Sequence, residues 1–117
     1  MLEAQQESDE WDYTIVKGLD GKIPVKVLDV TAGQSVLLRV YNFNDTNNHY
    51  LYNAKSGVTS PTSIKARDAL TQGLAEQDYT ISVTGNGWLK ISSGSNNSEG
   101  ESAYYGFYAD MVKIRIT

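Results

Sequence analysis

The sequence predicts an all-β fold, an antiparallel β-sandwich of jelly-roll type, and three observations predict it. Short apolar runs alternate with polar residues at period two, as in Val36, Leu38 and Val40 or in Val112, Ile114 and Ile116. That is the pattern of strands with one face in a core and one in water. Roughly seven or eight such runs recur at spacings of about 8 to 15 residues, closed by Gly, Asn, Asp or Ser turn chemistry. A chain of 117 residues is also long enough to bury a core as one domain without disulfides or a structural metal.

Taken in order, Trp11 to Lys17 sets Trp11, Tyr13 and Ile15 against Asp12, Thr14 and Val16, a first strand ended by the turn residues Gly18-Leu19-Asp20-Gly21. In Lys22 to Val30, Ile23, Val25 and Val27 are expected to share the core face, with Pro24 at a strand beginning or an edge. Thr31-Ala32-Gly33-Gln34 turns into Ser35 to Phe43, which reads as a central strand. Asn42 to Asn48 is a polar loop, His49 to Asn53 a short strand, and Lys55 to Thr62 a second loop. Ser63 to Gly73 fits one short helix near residues 63–72, capped by Ser63 and stopped by Gly73, although Ser63 to Arg67 also alternates as a strand does.

Asp78 to Ser92 reads as a β-hairpin. A three-residue Gly85-Asn86-Gly87 loop would pair Val83 with Leu89 and Ile81 with Ile91, with Gly87 left-handed and Trp88 facing outward beside Thr84. Ser92 to Ser102 is a long polar loop of the kind that is functional or mobile. Ala103 to Thr117 closes the domain with an aromatic cluster and the last strand.

Composition narrows the function classes. The absence of cysteine excludes disulfide frameworks, thiolate metal sites and cysteine nucleophiles. No run reaches the roughly 20 apolar residues of a membrane-spanning helix, and Met1 to Glu10 lacks the basic and apolar regions of a signal peptide. The net charge of −4 is concentrated in Glu3, Glu7, Asp9, Glu10 and Asp12, with no Lys or Arg among them. Residues 1–10 thus form an acidic arm on a balanced domain, 11–117. This arm is a solvated tail or docks on a basic partner or neighbouring subunit. Nucleic acid is not an expected partner, because phosphate binding needs clustered Lys and Arg.

An enzyme is not expected either: the only histidine is His49, and no serine elbow, nucleotide loop or paired-histidine metal motif is present. Calcium takes carboxylate, amide and backbone oxygens, which makes Asp45, Asn47, Asn96 and Asp110 the candidate ligands. Sugars present apolar C–H faces and hydroxyl edges, so an aromatic platform beside polar side chains suits them. Trp88 with Lys90, and Tyr104 and Tyr105 with Asn96 and Asn97, are the candidate glycan-binding sets.

Two stretches carry a resemblance. Asp20-Gly21 through Val27 followed by Thr31 to Val40, and Gly87-Trp88-Leu89-Lys90-Ile91 followed by a polar loop and Tyr108 to Ile114, resemble the early paired strands and the closing strands of galactose-binding-like jelly rolls. That fold includes many carbohydrate-binding modules and small galactophilic bacterial lectins. The resemblance implies carbohydrate binding and, in the lectins, a calcium site with an Asn-Asp pair after the penultimate strand and an Asn-rich turn before the last. Ser92-Ser93 stands in place of that pair here, and Asn96-Asn97-Ser98 echoes the turn. The expected role is a non-enzymatic, lectin-like recognition module, extracellular or on a virion or cell surface. The rival is a structural assembly protein, such as a virion decoration or surface-layer component, whose partners are protein subunits or further copies of itself.

Overall fold

The computed structural model describes residues 10–94 and 106–117. Its strands, in chain order, are β1 (Tyr13–Val16), β2 (Lys26–Val30), β3 (Ser35–Tyr41), β4 (Tyr50–Ala54), β5 (Ser63–Lys65), β6 (Glu76–Ser82), β7 (Gly87–Ser93) and β8 (Met111–Ile116), with one short helix, α1 (Ala66–Ala69), between β5 and β6. The antiparallel pairs are nested: β1 with β8, β2 with β7, β3 with β6, β4 with β5. The chain is therefore one long double-stranded ribbon. Rolling it up adds the pairs β3 with β8 and β4 with β7, giving two sheets of order β1-β8-β3-β6 and β2-β7-β4-β5. This winding is a jelly roll.

Alternation decides what each strand buries. Val36, Leu38 and Val40 of β3 and Val112 and Ile114 of β8 lie fully inside, as does Ile81 of β6. Facing them from the second sheet are Leu28, Val30, Leu89, Ile91 and Tyr52. Each such aliphatic side chain contributes about 2 kcal/mol through the water it no longer orders. Phe43 and Phe107 meet edge to face, ring centroids 5.8 Å apart, and are both fully buried. No helix among the described residues is long and apolar enough to cross a membrane.

The expected β6–β7 hairpin does not form. β6 pairs with β3 in one sheet and β7 with β2 and β4 in the other, so the chain arches between sheets at 83–86. The N–H groups of Thr84 and Gly85 donate to the Val58 carbonyl instead of to a facing strand. Both apolar rows still reach the core, but across the sandwich rather than side by side, and alternation alone does not separate those two outcomes. Gly85 lies so close to the Gly57 carbonyl that a side chain would collide with it. Gly87 has φ +153°, far from the left-handed helical value a three-residue hairpin loop requires. Trp88 faces outward as expected, but its neighbour is Asp29, and Lys90 sits beside Val27.

Three smaller expectations also change. Ile23 and Val25 are buried, yet the regular strand begins only at Lys26 and carries Leu28 and Val30 inward, so Val27 is on the outer face. Trp11 precedes β1 and does not follow Ile15 inward. Its ring packs against Arg115, Arg39 and Lys113, at 4.4, 5.2 and 6.0 Å from the ring centroid. The helix is a single turn starting after Lys65, without a side-chain cap, and Ser63 lies in β5.

Candidate functional site

In a jelly roll of this winding the β1–β2, β3–β4, β5–β6 and β7–β8 connections gather at one end of the sandwich. The polar loop 42–48 belongs to that end and is pinned there by several partners. The Asn42 and Gly73 N–H groups donate to the carbonyls of Ala75 and Phe43. Asp45 and Gln72 exchange two hydrogen bonds of 2.9 Å, N–H to side-chain oxygen and side-chain amide to carbonyl. Arg67 of α1 adds a bond to the Thr46 carbonyl. Asn42 has φ +54°, a left-handed conformation that Asn adopts more readily than most residues.

Asp45 is the anchor of this end, although its side chain is only 1% exposed. Oδ1 accepts the Asn47 N–H at 2.8 Å, and Oδ2 accepts both the Tyr108 N–H at 3.0 Å and His49 Nδ1 at 2.6 Å. Burial alone would push this carboxyl up, but the bonds from His49, Asn47 and Tyr108 outweigh it and hold the group below its ordinary value. An ionised carboxylate only accepts, so the His49 proton sits on Nδ1.

Tyr108 is fixed on both sides, since its carbonyl accepts the Asn44 N–H at 3.1 Å. Its ring, in a half-buried residue, meets that of His49 edge to face with centroids 5.9 Å apart, and has Lys22 Nζ 5.6 Å from its centroid and Gly21 alongside. Asp110 closes the arrangement. Its N–H donates to the Tyr41 carbonyl and its carbonyl accepts the Lys17 N–H. Its carboxylate oxygens accept Lys17 Nζ and Asn42 Nδ2, each at 2.8 Å, which lowers its pKa, Lys17 being the larger cause.

Together these groups line an open pocket of about 560 Å³, walled by Lys17, Asn42, Asn44, Asn47, Tyr108 and Asp110. It combines one aromatic ring with amide, ammonium and carboxylate groups. That chemistry suits a polyhydroxylated ligand with an apolar face.

Of the four candidate cation ligands, Asp45, Asn47 and Asp110 meet at this pocket, and Asn96 lies outside the described residues. Both carboxylates are engaged by protein donors, and the described residues contain no group of three or more His, Cys, Asp or Glu that could hold a metal. The glycan-binding candidates divide. Asn96, Asn97, Tyr104 and Tyr105 lie outside the described residues. Trp88 is half-buried on the outer face of the second sheet, with Lys90 Nζ 5.7 Å from its ring centroid. Lys90 is only 3% exposed, and burial lowers its pKa, so this ammonium is not offered to solvent.

Asn42 opens the oxygen-rich loop that the sequence marks, whereas Lys17 has no signal beyond its place at a strand end and Tyr108 is one aromatic among several. A second concavity of about 520 Å³ is lined by Trp11, Asp12, Arg115 and Thr117. Asp12 is already used there, accepting the Ile116 N–H. A scan against protein-family models and searches of curated proteins and of solved structures find no match to this chain.

Proposed function

We propose that the protein is a carbohydrate-recognition module that binds through the pocket at the loop end of the jelly roll rather than through Trp88 and Lys90. One observation carries the reading: a fixed aromatic ring, Tyr108, opens into the same 560 Å³ pocket as Asn42, Asn44, Asn47 and Asp110. A pyranose lays its C–H face on such a ring and directs its hydroxyls to amides and a carboxylate. Both partners keep their shape, which limits the entropy lost on binding.

The test is a glycan array probed with the wild-type protein and with Tyr108→Ala. The reading expects reproducible binding to a related set of sugars by the wild type, and loss of that set in the variant. Binding that survives Tyr108→Ala but disappears in Trp88→Ala would move the site to the outer face of the second sheet. A blank array would favour the second reading, an assembly protein. Trp11 supports that reading, because it gathers three cations on the outside of the first sheet next to the root of the acidic arm.

A further inference from the structure

Resting on that glycan reading of the same pocket, we propose that the ligand is a neutral pyranose held through two adjacent hydroxyls by the Asp110 carboxylate, and that sugar acids are rejected there. Each carboxylate oxygen offers two acceptor positions. In Asp110 one position on each oxygen is used, Oδ1 by Lys17 and Oδ2 by Asn42. With the described residues counted, one position per oxygen is left, and the side chain is 47% exposed, so it opens toward the solvent side of the pocket.

Two neighbouring ring hydroxyls present two donors side by side, which matches the paired oxygens of one carboxylate as a bidentate acceptor. The acceptor is preorganised. Its backbone is bonded to the ends of β1 and β3 through Lys17 and Tyr41, and its oxygens are oriented by an ammonium and an amide. Binding therefore needs no rearrangement of this group.

Charge sets the selection. Lys17 is the cation paired with Asp110, Lys22 lies against the Tyr108 ring, and Asp45 adds a second, buried carboxylate to the pocket lining. A uronate brought against Asp110 faces like charge at hydrogen-bond distance, in a site whose Lys17 is already engaged. A neutral diol meets no such penalty. Asn44 and Asn47 remain to bond further hydroxyls, and Tyr108 supplies the apolar face.

The experiment is calorimetric titration of the full chain with the methyl glycosides of glucose, galactose and mannose, of their 6-uronic acids, and of analogues lacking one hydroxyl of each diol. Binding of a neutral glycoside at least tenfold tighter than its uronic acid, and tighter than its deoxy analogue, is the expected result. Asp110→Asn should lower that affinity by about 30-fold, since one hydroxyl loses its acceptor and the other bonds a neutral amide oxygen in place of a charged one. Lys17→Met keeps the carboxylate while removing the cation that orients it, and should widen the ratio of neutral-glycoside to uronic-acid affinity, whatever the loss in neutral binding itself. This variant keeps the test open if Asp110→Asn fails to fold.

Equal or tighter binding of the uronic acids, or full neutral-sugar affinity in folded Asp110→Asn, overturns the Asp110 assignment. If Tyr108→Ala abolishes that same binding, the glycan reading still stands. No binding of any glycoside by the folded wild type overturns both.

Discussion

The Asp45 carboxylate accepts the main-chain N–H of Tyr108 at 3.0 Å, so the β3–β4 loop holds in place the ring that the β7–β8 connection delivers. The same oxygen takes His49 Nδ1, and its partner oxygen takes the Asn47 N–H. Removing this carboxylate leaves three part-buried donors without their acceptor. Asp45→Ala should cost about 3 kcal/mol, read from the urea midpoint at pH 7. Asp45→Asn, which retains one acceptor oxygen, should cost less. Equal stability of wild type and Asp45→Ala would show that the loop end is held by other contacts.

Acid should loosen the protein from this point. Asp45 in the folded chain lies below its ordinary value, as does Asp78, which Arg39 holds down through two hydrogen bonds of 2.7 and 2.9 Å. A carboxyl depressed by folding stabilises fully above its unfolded value of about 3.9 and loses that contribution as pH falls through the folded value. Urea midpoints should therefore be flat from about pH 7 to 5 and decline below about pH 4. The decline should be shallower in Asp45→Asn. A midpoint that rises on acidification would contradict the assignment.

The jelly-roll winding makes a cross-linking prediction. Asp29 and Trp88 stand directly opposite in the β2–β7 pair, where Cα atoms are about 4.5 to 5.5 Å apart. Asp29→Cys with Trp88→Cys should oxidise readily to a disulfide. Ser82→Cys with Lys90→Cys, neighbours in a hairpin but on different sheets here, should stay reduced. Mass spectrometry after mild oxidation distinguishes the two, and the reverse pattern would restore the hairpin.

The contrast between hairpin and arch shows what local pattern conveys. Val36, Leu38 and Val40, and Val112 and Ile114, announced their strands and their inward faces because period-two burial leaves a direct mark on sequence. Ile81, Val83, Leu89 and Ile91 announced burial equally well. Which sheet each joined depended on partners more than forty residues away, such as Val36 opposite Ile81 and Leu28 opposite Leu89. The site was legible as an oxygen-rich loop, and Asp45, Asn47 and Asp110 do converge. That Asp45 serves as an internal anchor was not legible, since an Asp in a polar loop reads as solvated. Lys17 joins the pocket only because β1 and β3 flank β8, which sets the Lys17 and Asn42 side chains on either side of Asp110.

Trp11 offers a separate test of packing on the outer face of the first sheet. Its ring has the Arg115 guanidinium at 4.4 Å and that of Arg39 at 5.2 Å. Trp11→Ala should destabilise by about 1.5 kcal/mol, measured by thermal or urea unfolding. Trp11→Phe should recover part of the loss, because a phenyl ring still faces the cations. Equal loss in both variants would assign the effect to indole packing alone.

The most direct measurement is an amide-resolved NMR titration of the labelled wild-type protein with the neutral methyl hexosides. Recognition at the loop end predicts shift changes concentrated at Asn42, Asn44, Asn47, Tyr108 and Asp110, with Trp88 and Lys90 unmoved. Changes concentrated at Trp88 and its β2 neighbours, or no saturable change at any amide, would contradict it.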